Sequence, residues 1–149
     1  MLYAFHYYSP WVYTTLRVNR GRFSYPDRMP AGGSAQRVRE DLDAVEAWAL
    51  RHGIAPTRVI ASEFGVDRRV AGAQRYLEDL VSQLEAHGWH WAFYAFRQDG
   101  SWGGLDYELG APLGDAYWKS VERGADPESL KRRAPNPLWN VLARELQPH

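Results

Sequence analysis

The 149-residue chain predicts an α/β fold built on a parallel sheet, and two patterns predict it. Short, aromatic-rich apolar runs alternate with longer segments of helical periodicity, in the order strand, helix, strand, helix, strand, helix. Such alternation implies parallel strands joined by right-handed crossovers. The connections that follow strands are long and rich in Trp, Tyr, Asp and His. Those after the first two helices are short, Gly53 to Pro56 and little beyond Gly88. In α/β barrels the loops at the strand C-termini carry function, and the elaborate loops of this chain lie at that end.

The first strand reads as Leu2 to Tyr8, ended by Pro10. Trp11 to Gly33, with Gly21, Pro26, Pro30 and Gly32-Gly33, reads as a long structureless connection of the functional or disordered kind. Ser34 then caps a helix carrying Val38, Leu42, Val45 and Ala49 at helical spacing, closed by Gly53. Thr57 to Glu63 is the second strand. Val70 to His87 is the second long helix, with Ala73, Leu77, Leu80, Val81 and Leu84 on one stripe and Gly88 as its stop. Trp89 to Phe96 is the third strand, almost wholly aromatic, and Arg97 to Gly114 is another long loop. Asp115 to Glu122 forms a short helix. Asn136-Pro137 starts the last one, Asn as cap and Pro at the first helical position, with Leu138, Val141, Leu142 and Leu146 on its apolar side. The strands are apolar on both faces, as parallel strands covered by helices are.

Length suits one domain, residues 1–149, and hydrophobic residues at 45% are enough for a core. Eighteen basic and eighteen acidic side chains cancel, which argues against a nucleic-acid partner and against a polybasic membrane surface. No run of about 18 apolar residues predicts a membrane helix. With no cysteine, disulfides and thiolate metal sites are excluded. The N-terminal segment lacks the basic start and cleavage site of a signal peptide, and localisation stays unread. Aromatic residues are abundant, seven Trp, nine Tyr and five Phe. Most belong to core packing, but flat rings near carboxylates also suit the C–H faces of sugars.

Glu63 stands out. It ends the apolar run Arg58-Val59-Ile60-Ala61-Ser62-Glu63, with Gly65 two residues on. Carboxylates are rarely buried unless paired, so a charge at a strand tip asks for a chemical reason. Side chains two apart on a strand face the same way. His6 and Tyr8 therefore share a face, Glu63 shares one with Ala61 and Val59, and His90, Ala92, Tyr94 and Phe96 share one. With neighbouring strands, His6, Tyr8, Glu63 and Tyr94 converge on one mouth. A phenol donating to a carboxylate favours its charged form, which suits a carboxylate nucleophile.

The segments His6-Tyr7-Tyr8-Ser9-Pro10-Trp11, Ser62-Glu63-Phe64-Gly65 and Trp91-Ala92-Phe93-Tyr94-Ala95-Phe96-Arg97, followed by Asp106-Tyr107-Glu108-Leu109-Gly110, resemble family 5 glycoside hydrolases. These are cellulase-like (β/α)8 barrels that cleave β-linked glucans or mannans with retention. The resemblance runs over nearly the whole chain. It implies a partial TIM barrel of three parallel βα units, matching strands six to eight, that forms part of a glycoside hydrolase catalytic domain. By it, Glu63 matches the catalytic nucleophile, Tyr8 the tyrosine that supports the nucleophile, and His6 with Tyr8 the substrate-binding pair of the sixth strand. Tyr94 falls where many members carry a sugar-stacking tryptophan, with Trp102 or Phe96 as alternatives for that role. The loops Trp11–Tyr13 and Trp102–Tyr107 are expected to contact glycan. No cofactor and no metal are implied.

A retaining glycosidase needs two carboxylates about 5–5.5 Å apart, a nucleophile and an acid/base. The family's acid/base is a glutamate after an asparagine on the fourth strand, and no such Asn-Glu occurs here. Asp67, Asp99, Asp106 and Glu108 lie on loops at the right end, where loop-capping or solvated roles compete with an acid/base role. The blander readings of the other residues are an ion-paired Glu63, with Arg97 as partner, and a core His6. A metal trio of His6, His87 and His90 is disfavoured, because His87 and His90 straddle a helix end and a strand start, at the wrong end of the sheet. The expectation is therefore the C-terminal part of a retaining β-glycoside hydrolase, with the nucleophile but not the acid/base, inactive alone. Its partners would be a β-linked oligo- or polysaccharide and a missing N-terminal half-barrel. The alternative is a non-catalytic carbohydrate-binding or self-associating (homo-oligomeric) remnant, or a monomer whose last helix covers the open face of the sheet.

Overall fold

The computed structural model describes residues 1–31, 34–95, 104–107, 114–130 and 136–147. In chain order the elements are β1 (Tyr3–Tyr7), α1 (Trp11–Thr14), α2 (Leu16–Asn19), α3 (Ala35–Arg51), β2 (Val59–Phe64), α4 (Ala73–Ala86), β3 (His90–Trp91), α5 (Asp115–Glu122) and α6 (Pro137–Glu145). The strands form one parallel sheet in the order β1-β2-β3, as the alternation of elements predicts.

The long helices form where periodicity and caps agree. The Ser34 hydroxyl accepts from the Arg37 N–H at 2.9 Å and starts α3, which buries Val38, Leu42 and Ala49. Helix α4 buries Tyr76, Leu77, Leu80, Val81 and Leu84 and packs against α3 and α6. It begins at Ala73 rather than Val70, because Gly72 has a φ of 81° and a Cβ there would overlap the Tyr25 backbone. Such a conformation favours glycine and breaks the helical run before it. The Asn136 side chain accepts from the Leu138 N–H at 3.2 Å and caps α6. Leu138, Val141 and Leu142 of α6 join the same core as Val59, Ala61 and Phe64 of β2. Truncating a buried leucine such as Leu77 or Leu142 costs about 2–5 kcal/mol.

Several expectations change. The connection after β1 is not structureless but carries α1 and α2, tied by Asn19, whose amide donates to the Tyr13 and Phe23 carbonyls at 3.0 and 3.2 Å. The second strand starts at Val59, because Pro56–Arg58 form a 3-10 turn. The last helix packs on α4 rather than over the open face of the sheet. On that face Ala4, His6 and Ala92 are exposed.

The change that matters most is a bulge in β2. Phe5 pairs with Ala61 but His6 pairs with Glu63, so Ser62 is an extra residue. The same slip appears on the other side. Ala92 N–H donates to Ala61 and Tyr94 N–H to Phe64, so two residues of the third segment advance against three of β2. This is why, among the described residues, the regular part of the expected third strand Trp89–Phe96 is His90–Trp91; Phe96 lies outside them. The bulge also reverses the alternation. Val59 and Ala61 point into the helical layer, 1% and 0% exposed, and Phe64 joins them at 0%. Glu63 therefore does not share the face of Val59 and Ala61. It emerges on the open face beside His6, the re-aiming for which bulges near active sites are known.

Candidate functional site

The C-terminal ends of β1 and β2 deliver Tyr8 and Glu63 to one cleft. The Tyr8 hydroxyl donates to Glu63 Oε2 at 3.2 Å, and His6 Nδ1 lies 3.6 Å from the same oxygen. The cleft has a volume of about 370 Å³, and Tyr8, Trp11, Glu63, Asp67, Arg69 and Tyr94 are among its lining residues. Trp11 is 45% exposed and stands edge-on to Tyr8, with ring centroids 6.4 Å apart. His6 flanks Glu63 with its side chain more than half exposed, so it is not a core histidine.

Each member of the group is held by the backbone around it. Thr14 Oγ1 donates to the Tyr8 carbonyl at 2.8 Å, and the Tyr76 hydroxyl donates to the Ser9 carbonyl at 2.7 Å. On the other side, Tyr107 is fully buried. Its hydroxyl accepts from the Val66 N–H and donates to the Val66 carbonyl, both at 2.7 Å, and its ring stacks on Phe93. Gly65 permits this closeness: a Cβ there would stand 2.5 Å from the Tyr94 carbonyl oxygen. The residues after Glu63 are thus pinned against the third strand segment.

Burial first, then the Glu63 charge and the hydrogen bond to it, raise the Tyr8 phenol well above its ordinary range. Tyr8 therefore stays a neutral donor to the carboxylate at any physiological pH. Neutral donor and charged acceptor make a charge-assisted bond, stronger than a neutral one.

Of the residues singled out in the sequence, Tyr8, His6, Glu63, Trp11 and Tyr94 come together. Phe96 and Trp102 lie outside the described residues, as do Arg97, Asp99 and Glu108. Asp67 reaches the cleft, but its carboxylate is gripped by Arg69 at 2.8 and 2.6 Å, and the salt bridge leaves no free acid there. Asp106 is fully buried, which removes it from solvent and substrate. Two aromatics of the glycan-contacting loops belong instead to the core. Tyr13, fully buried, packs among Tyr25 and Tyr76 and donates to the Ala71 carbonyl at 3.1 Å, and Tyr107 braces Val66. Thr14 and Arg69 had no signal of their own in the sequence, beyond the Asp-x-Arg spacing that allows the Asp67–Arg69 fork.

No family model matches the chain, and no curated protein matches its sequence. Solved structures do match its fold. Endoglucanase Cel5A from the hyperthermophilic Thermotoga maritima aligns with a TM-score of 0.59 at 17% identity, covering 95% of this chain and 38% of that one. XEG5A, a GH5 xyloglucan-specific endo-β-1,4-glucanase from a metagenomic library solved with cellotriose, aligns with a TM-score of 0.60 at 12% identity, covering 97% and 35%. A GH5-4 broad specificity endoglucanase from Bacteroides salanitronis aligns with a TM-score of 0.57 at 20% identity, covering 77% and 33%. The chain thus has the fold of part of a family 5 glycoside hydrolase barrel, and it spans about a third of the length of the solved structures it matches.

Proposed function

We propose that the chain is the C-terminal part of a retaining β-glycoside hydrolase and carries the nucleophile, Glu63, of a two-carboxylate mechanism. The observation that supports this most is the Tyr8–Glu63 hydrogen bond at 3.2 Å in a cleft at the C-terminal end of a parallel sheet, where barrel enzymes keep their chemistry. In this reading Glu63 attacks the anomeric carbon while an acid, supplied from outside these residues, protonates the departing oxygen. Water then cleaves the glycosyl ester with the same residue acting as base. Tyr8 holds the nucleophile in place, and His6, Trp11 and Tyr94 contact the sugar, with Phe96 and Trp102 as further candidates. Neither a cofactor nor a metal enters the reaction.

The substrate class follows from the neighbours' ligands: structures of the Thermotoga maritima enzyme hold cellobiose in one case and mannotriose in another. A β-linked glucan or mannan is proposed on that basis. Reconstitution tests the reading. The chain is combined with a polypeptide supplying the rest of the barrel, and β-glucan and β-mannan hydrolysis is measured with wild type and with Glu63→Gln. Hydrolysis by the wild-type complex and its loss in the Glu63→Gln complex are expected. A stable complex that stays inactive, or a Glu63→Gln complex that keeps full activity, overturns the assignment.

A second reading rests on the exposed Trp11 at the cleft: a non-catalytic module that binds glycan, or self-associates through its open sheet edges. Titration of the chain alone with cello- and manno-oligosaccharides separates the two. A change in tryptophan fluorescence that disappears in Trp11→Ala supports binding without the missing half, and an unchanged signal removes it. Sedimentation of a compact monomer removes self-association.

A further inference from the structure

A cluster of metal-ligating side chains lies away from the cleft, between α3 and the end of α4. His87 caps α4 at its C-terminus, and its ring stacks on Trp89 with centroids 4.4 Å apart. The side chain is only 10% exposed, and its Nε2 is buried without a hydrogen-bond partner. A buried nitrogen left so is costly and asks for an explanation. Two carboxylates face the ring: Asp43 Oδ1 lies 3.6 Å from Nε2, and Glu46 Oε1 lies 3.3 Å from Nδ1. One ligand atom from each of the three residues lies within 4.8 Å of the others. Asp43 and Glu46 stand three apart on α3 and so share a face of it.

We propose that Asp43, Glu46 and His87 form a binding site for a zinc-class divalent cation. An imidazole nitrogen with two carboxylate oxygens suits a borderline first-row ion, whereas calcium and magnesium prefer oxygen alone. One ion takes only one imidazole nitrogen. With the orphaned Nε2 as ligand, Asp43 lies beside it, and Glu46, which faces Nδ1, swings round the ring edge to bring the ligand atoms within the about 4.4 Å that metal–ligand bonds of about 2.0–2.2 Å allow. The carboxylates are free to do this, being 56% and 46% exposed, while Trp89 holds the imidazole. Three protein ligands leave a position for water. His87 precedes the start of β3 and Glu63 lies near the end of β2, so the site sits at the opposite end of the parallel sheet from the cleft. Its role is to tie α3 to α4, since an ion that binds only the folded chain stabilises it. The sequence trio of His6, His87 and His90 is replaced by a different set sharing only His87.

Zinc titration of the whole chain, followed by calorimetry and by thermal melting, tests this. The wild type is expected to bind one zinc and to melt about 4 °C higher when saturated, with no response to magnesium. Asp43→Asn/Glu46→Gln changes only half-exposed groups, so it keeps the metal-free melting temperature while its zinc affinity falls at least about tenfold. Cobalt gives the same comparison by visible absorption, with the d–d bands of a protein-bound ion present in wild type and lost in the double variant. A wild type that ignores zinc, or a double variant that responds as the wild type does, overturns the site. The latter result would place the ion on other histidines.

Discussion

Tyr107 holds Val66 by both of its backbone groups, accepting from the N–H and donating to the carbonyl at 2.7 Å each, three residues beyond Glu63. The pair is buried, so neither peptide group has water as a substitute. Tyr107→Phe leaves both unsatisfied, and a loss of about 2–3 kcal/mol is expected from the desolvation each then suffers. Urea unfolding checks it: the midpoint falls with an unchanged slope. An unaltered midpoint would mean that the bracing of the site does not depend on this phenol.

Tyr8→Phe removes the donor to Glu63 Oε2 and little else. Bonds to charged groups contribute about 1.5–3 kcal/mol when well buried, and the half-open cleft argues for the lower end. In the reconstituted barrel, kcat/KM is expected to fall about tenfold with most of the loss in kcat. A change confined to KM would make Tyr8 a sugar contact rather than a support for the carboxylate.

Alkali should unfold this protein through its tyrosines. Burial raises the phenols of Tyr7, Tyr8, Tyr13, Tyr25, Tyr76 and Tyr107 above their ordinary value near 10. The folded state therefore keeps protons that the unfolded chain releases above about pH 10, so stability is full below that pH and declines above it. Phenolate absorbance from these six is expected only as circular dichroism is lost. Full phenolate absorbance with the fold intact would contradict their burial.

Gly65→Ala places a methyl 2.5 Å from the Tyr94 carbonyl oxygen and 3.3 Å from the Tyr107 hydroxyl. That segment is fixed by the Tyr94 N–H bond to the Phe64 carbonyl at 2.8 Å, so it yields only at a cost of about 1–3 kcal/mol. Lower melting temperature and weaker oligosaccharide binding are expected together, because Tyr94 must shift. Gly114→Ala, with open space around the new methyl, is the control and should change far less. Equal effects of the two would refute the steric account.

The helices α3, α4 and α6 were legible from their apolar stripes, joined by the Ser34 cap and Gly53 stop in α3, by the Gly88 stop in α4 and by the Asn136-Pro137 start in α6. The parallel order was legible from alternation alone. At the site, Glu63, Tyr8 and His6 could be named from residue types and order. Their common orientation could not, because the period-two rule puts Glu63 with Val59 and Ala61 and nothing local marks Ser62 as surplus. The aromatics divided badly for a related reason. Tyr13 and Tyr107 have the same chemistry as a sugar platform, and only their burial and their bonds to Ala71 and Val66 make them scaffold. Short α1 and α2 escaped because four residues show no period.

The bulge at Ser62 makes β2 unequal in its tolerance of length. The strand holds one residue in reserve. If Ser62 were lost, simple alternation would still turn Glu63 toward Tyr8. If one more residue were gained before Glu63, plain alternation would again turn the carboxylate to the open face, but opposite Tyr8 rather than His6. Shortening of β2 at this point is therefore the benign error, since Glu63 stays opposite His6, while lengthening keeps its face but carries it two positions, roughly 6–7 Å, along the sheet.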